Sequence, residues 1–87
     1  MKNYKKTPAQ KAVELMNAAE SIFYEEKYIL SIEYYSQAIP QINSPSNLAY
    51  ALYMRGCAYH ETGNAIEAAK DWKEAQRFGF ELPIEIA

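Results

Sequence analysis

The stretch LYMRGCAYHETGNAIEAAKDWKEAQ, Leu52 to Gln76, carries the reading of the whole chain. It holds the only cysteine and the only histidine of the 87 residues, Cys57 and His60, with Arg55 and Glu61 close by. The plainer residues around them set the architecture. Thr62-Gly63-Asn64 separates two helical patterns. Gly63 can take the left-handed conformation that ends a helix, and Asn64 with Glu67 three residues on is a start signal for the next. Before this turn, Leu52, Gly56 and Tyr59 form one helical stripe, while Tyr50, Tyr53, Cys57 and His60 form another. After it, Ala68, Trp72 and Ala75 recur at helical spacing.

Working outward, the same pattern returns 37 residues earlier, the interval from Leu15 to Leu52. Ala19 then falls on Gly56, Ile22 on Tyr59, Ser31 on Ala68, Tyr35 on Trp72 and Ala38 on Ala75. Thr7-Pro8-Ala9-Gln10 reads as a helix start, with Thr7 as cap, Pro8 at the first helical position and Gln10 closing a capping box. The first helix is expected over about 8 to 25, with a turn at Glu25-Glu26-Lys27. Ile29, Ile32, Tyr35, Ala38 and Ile39 mark a second helix that Pro40 ends. Asn43-Ser44-Pro45-Ser46 reads as a loop. A third helix is expected over about 47 to 61, and a fourth from Asn64 to Phe78 with Gly79 as its terminal cap. Phe80 to Ala87 is a short apolar tail broken by Pro83.

Residues 52–76 resemble a tetratricopeptide repeat of the kind common in bacteria. Leu52 stands at that pattern's tryptophan position, Gly56 at its glycine, Tyr59 at its tyrosine, Ala68 at its alanine and Trp72 at its phenylalanine. Arg55 replaces the leucine before the glycine, and Phe80 stands where a proline is usual. The first copy keeps Leu15, Tyr35 and Ala38, with Ala19 for the glycine and Glu26 at the turn glycine. The family repeat is about 34 residues long, and the extra residues of the 37-residue spacing fall in the loop around 43 to 48. The resemblance implies an all-α, TPR-like fold: antiparallel helix-turn-helix pairs stacked as a short right-handed α-solenoid in one domain. Repeat one would run over about 12–45, repeat two over about 49–82, with a C-terminal tail. Small residues, Ala19, Gly56, Ser31 and Ala68, would nest against Tyr35, Tyr59 and Trp72.

The resemblance also implies a concave face lined by the first helix of each pair. Its inward residues would be Met16, Glu20, Phe23 and Tyr24 from the first helix, and Tyr50, Tyr53, Cys57, His60 and Glu61 from the third. Tyrosine gives large contact area and a hydroxyl at small entropic cost, and methionine adapts to varied partners. Where some family members hold a carboxylate with Lys and Asn, this chain has Met16, Glu20 and Met54, so no carboxylate clamp is expected. An apolar or aromatic peptide suits the face, with a basic residue near Glu20 or Glu61.

Other functions find little support. Cys57, His60 and Glu61 share a helical face, yet a metal needs a fourth ligand or an open position with supporting groups, and Glu20 is the only reachable addition. No metal or other cofactor is expected. Cys57 lies mid-helix, away from the helix start that would lower a thiol pKa, and no phosphate loop or Ser-His-Asp arrangement exists. No enzyme is expected. Asp71 and Glu74 with Lys70 and Lys73 read as a solvated face of the fourth helix. The net charge of −2 argues against nucleic acid as partner. No run approaches the ~18 apolar residues of a membrane span. The basic start Lys2, Lys5 and Lys6 is not followed by an apolar run, so no secretory signal is expected. A single cysteine forms no internal disulfide, and a cytoplasmic setting follows. The expected function is a protein–protein interaction module, an adaptor binding a peptide or protein on its concave face. The alternative is a homo-oligomer pairing end to end, or a groove covered by the chain's own tail, since about three repeats are usually needed for stability.

Overall fold

The structure, a computed structural model, describes residues 5–86; Lys2 and Ala87 lie outside them. The described residues form helices and connecting turns only: α1 (Pro8–Tyr24), α2 (Tyr28–Ala38), a short 3-10 turn (Ile39–Gln41), α3 (Pro45–Glu61) and α4 (Ala65–Arg77). Each helix packs chiefly on its neighbour in sequence, α1 on α2, α2 on α3 and α3 on α4, with a slim contact between α1 and α3. A chain of nearest-neighbour contacts makes an elongated body, 51 × 27 × 17 Å.

The helix ends explain the turns. At Thr7 both halves of the capping box form: Gln10 N–H donates to Thr7 Oγ1 at 3.1 Å, and Thr7 N–H to Gln10 Oε1 at 2.8 Å. Ser44 caps α3 by one such bond, its Oγ accepting from Asn47 N–H at 3.3 Å, with Pro45 at the first helical position. The third helix therefore starts at Pro45 and not near 47, because Ser44-Pro45 repeats the Thr7-Pro8 signal. Pro40 does not stop the chain turning: α2 gives way at Ala38 to a 3-10 turn that contains it. A 3-10 turn accepts proline near its start, where no N–H is needed.

Three helices end alike. The residue after each cap has positive φ: Glu26 (64°), Gly63 (84°) and Gly79 (94°). Behind each the same two bonds form, for instance Gly63 N–H to His60 O at 3.0 Å and Asn64 N–H to Tyr59 O at 2.9 Å. This pairing satisfies carbonyls the helix leaves open. Glu26 and Gly63 are 37 residues apart, so one backbone device closes both hairpins, with a glycine in only the second.

Alanine supplies eight of the eleven buried apolar residues, with Tyr35, Leu52 and Met54 as the large ones. Small side chains let helix backbones approach closely. At α1–α2, Ser31 Oγ donates to the Ala19 carbonyl at 3.0 Å, and both residues are fully buried. At α3–α4, a Cβ on Gly56 would lie 2.6 Å from Trp72 Cδ1 and Nε1 and 3.2 Å from the Ala68 carbonyl. The Trp72 indole N–H donates to the Tyr53 carbonyl at 3.2 Å. Each large buried side chain contributes about 1.5–3 kcal/mol, and few are present, so the domain is modestly stable.

Asp71 corrects the expectation of a solvated α4 face. It is buried, and it receives Arg55 Nε at 2.7 Å and Nη2 at 2.8 Å. Arg55 Nη1 also donates to Ser36 Oγ at 3.2 Å, and the guanidinium carbon lies 5.9 Å from the centre of the Tyr59 ring. The bond to Asp71 raises the Arg55 pKa against the opposing effect of burial. This cluster joins α2, α3 and α4. Lys70 and Glu74 remain surface groups, paired with Glu67 and Arg77.

Candidate functional site

The second stripe of α3 and the last turns of α1 share one side of the molecule. None of the nine candidate residues is buried: Tyr24, His60 and Glu61 are exposed and the other six half-buried. The residues interleaved with them on α3, including Ala51, Leu52, Met54 and Gly56, are buried. Met54 therefore belongs to the core.

Glu20 and Tyr50 tie the two helices together, the Tyr50 hydroxyl donating to the Glu20 carboxylate. Tyr50 and Tyr53 lie with ring centres 6.4 Å apart. Phe23 meets Tyr24 edge-on at 5.4 Å and Tyr28 at 5.2 Å, an arrangement aromatic rings favour. Met16 is set apart. It packs on the core and lines a separate hollow of ≈ 150 Å³ with Ile42, Ser44 and Asn47. Cys57, His60 and Glu61 share a hollow of ≈ 290 Å³ with Trp72, Glu85 and Ile86. The His60 ring stands 5.6 Å from Trp72.

On this face partial burial holds the phenols and the thiol in their protonated forms. Burial, joined by the neighbouring Glu20, raises the Tyr50 pKa well above the ordinary phenol value. Burial pushes Tyr53 up to about 12, with the Cys57 thiol adding to the effect. Beneath them Tyr35 is fully buried, and its hydroxyl makes no hydrogen bond among the described residues. Its pKa is raised by burial first, then by Tyr50, Glu20, Tyr24 and Cys57. Burial also raises the Cys57 thiol, with Tyr53 and Trp72 acting against it. A thiol held protonated is a poor nucleophile and a poor metal ligand. Among the described residues, no group of three or more His, Cys, Asp or Glu is placed to hold a metal ion.

Two participants lie outside the candidate residues read from the sequence. Phe80, beyond the end of α4, stacks on Tyr53 at 4.5 Å with 26° between the rings. Trp72 reads as core from its repeat position, yet the ring that meets Gly56 also lines the Cys57 hollow. Only the hydrophobicity of the tail hinted at Phe80.

No protein-family model, no curated protein and no solved structure matches the chain. Among the described residues, no helix is long and apolar enough to cross a membrane.

Proposed function

We propose that this chain is a small binding module: two tetratricopeptide-like hairpins offering the inner side of α1 and α3 to a protein or peptide. One observation carries the reading. The aromatic stripe of Phe23, Tyr24, Tyr50 and Tyr53 stays half-buried or exposed while small residues on the same helices fill the core. Aromatic side chains left at a surface beside a carboxylate suit recognition of a peptide with apolar or aromatic residues and a basic one at Glu20 or Glu61. The reading includes no catalytic step and a cytoplasmic setting.

The test is a peptide array probed with the wild-type chain and with Tyr53→Ala and Phe23→Ala. Binding that is lost in both variants, with their circular dichroism unchanged, supports the module. An array bound equally by all three, or by none, removes it.

A second reading is end-to-end self-association. Val13, Ile29 and Ile66 are exposed at 46%, 68% and 72% and favour it. The outer side of α4 opposes it, since Lys70, Lys73, Gln76 and Arg77 are exposed there and would be desolvated in a seam. Sedimentation across protein concentration separates the two, and a well-folded strict monomer removes self-association.

A further inference from the structure

Residues 80–86 follow α4 and return across the inner stripe of α3. Gly79, at φ 94°, ends the helix, and Phe80 N–H donates to the Ala75 carbonyl at 3.0 Å, which sets the return. The Phe80 ring then stacks on Tyr53 and lies 6.4 Å from Tyr50. Ile86 N–H to Pro83 O, at 2.9 Å, closes a turn. Glu85 and Ile86 roof the hollow over Cys57, His60 and Trp72.

The manner of attachment matters more than the contact. Ile84, between the two points of contact, is 92% exposed. Among the described residues, no hydrogen bond joins residues 81–86 to α3 or α4. Beyond Phe80 the segment is held by side chains alone: Leu82, Pro83 and Ile86 are half-buried, and Glu81, Ile84 and Glu85 are exposed. Few buried contacts and no backbone bonds mark the segments that open first.

We propose that the α3 stripe is a seat for a short peptide bearing an aromatic residue and, several positions on, an aliphatic one, and that residues 80–86 are its internal competitor. This rests on the binding-module reading and names the partner's chemistry through the segment now in place. Phe80 marks the aromatic subsite over Tyr53 and Tyr50. Ile86 marks the aliphatic subsite beside Trp72. A tethered segment acts at high effective concentration, so it lowers the apparent affinity of a free peptide by the fraction of time it occupies the seat.

The experiment uses the full chain and a fluorescein-labelled synthetic octapeptide of residues 80–87, FELPIEIA. Binding is read by anisotropy, and thermal unfolding by circular dichroism. Phe80→Ala/Ile86→Ala should bind the octapeptide at least about tenfold more tightly than wild type. Adding Tyr53→Ala should abolish the gain. Phe80→Leu keeps apolar packing but removes ring stacking, and it should gain about threefold by the same competition. A lowered melting temperature with no gain in either variant would make the segment a structural cap and overturn the proposal. So would a gain that survives Tyr53→Ala, or a wild-type dimer that dissociates when octapeptide is added. Array binding that depends on Tyr53 and Phe23 tests the module by itself, so it can stand while the competitor falls.

Discussion

Gly56 is where one hydrogen atom decides a helix spacing. Adding a methyl group there improves helix propensity by about 1 kcal/mol. It also drives the Cβ to 2.6 Å from the Trp72 ring, whose N–H is already held by the Tyr53 carbonyl. Overpacking of this kind costs about 1–3 kcal/mol, and the ring cannot swing aside freely. Gly56→Ala is therefore expected to lose up to about 2 kcal/mol in urea unfolding, with a change in Trp72 emission. Glu26 presents the opposite case. It holds the left-handed conformation that Gly63 supplies in the other hairpin, a conformation unfavourable for residues with a Cβ. Glu26→Gly should raise stability by about 0.5–1 kcal/mol in the same assay, the relief exceeding the added freedom of the unfolded chain.

At the scale of elements, the Arg55–Asp71 pair fixes α4 against α3, and its bond to Ser36 reaches α2. Its side chains are 21% and 7% exposed, so the charges are largely desolvated. Arg55→Met leaves Asp71 buried without a partner and should cost about 3 kcal/mol. Arg55→Met combined with Asp71→Leu should cost less than the single change, because two apolar side chains replace a desolvated pair. Chemical denaturation of both variants checks the order. The contrast shows what the sequence discloses. Helix ends were legible because their signals are local: Thr7-Pro8, Gly63 and Asn64 act within four residues. Asp71 was not. Lys70, Lys73 and Glu74 surround it in sequence, and its burial follows from an arginine sixteen positions earlier that meets it only after folding. Helix α3 starts two residues before the expected position because Ser44-Pro45 serves as loop and cap alike.

At the scale of the whole molecule, an alanine-rich core leaves Tyr24, Tyr50 and Tyr53 to the candidate face. Tyr35, Tyr50 and Tyr53 all have raised pKa values in the fold, with burial the main cause. A raised value means the folded state favours the protonated phenol. The stability this confers is complete below about pH 10, the ordinary phenol value, and is lost as pH rises; for Tyr53 the window closes at about 12. Alkaline titration followed by phenolate absorbance should show these three ionising above the ordinary phenol range, together with the loss of helical circular dichroism. The candidate face was readable as a stripe on α3, since Tyr50, Tyr53, Cys57 and His60 need only helical periodicity. Its occupant was legible only as the alternative of a groove covered by the apolar tail; the contact of Phe80 with Tyr53 depends on a reversal at Gly79 that no periodicity records. The central claim, that this face exists to be occupied, is tested most directly by octapeptide anisotropy on the wild-type chain, Phe80→Ala/Ile86→Ala and the same variant carrying Tyr53→Ala. Tight binding only in the second protein is the predicted result. Equal binding by all three, or none in any while all remain folded, would contradict it.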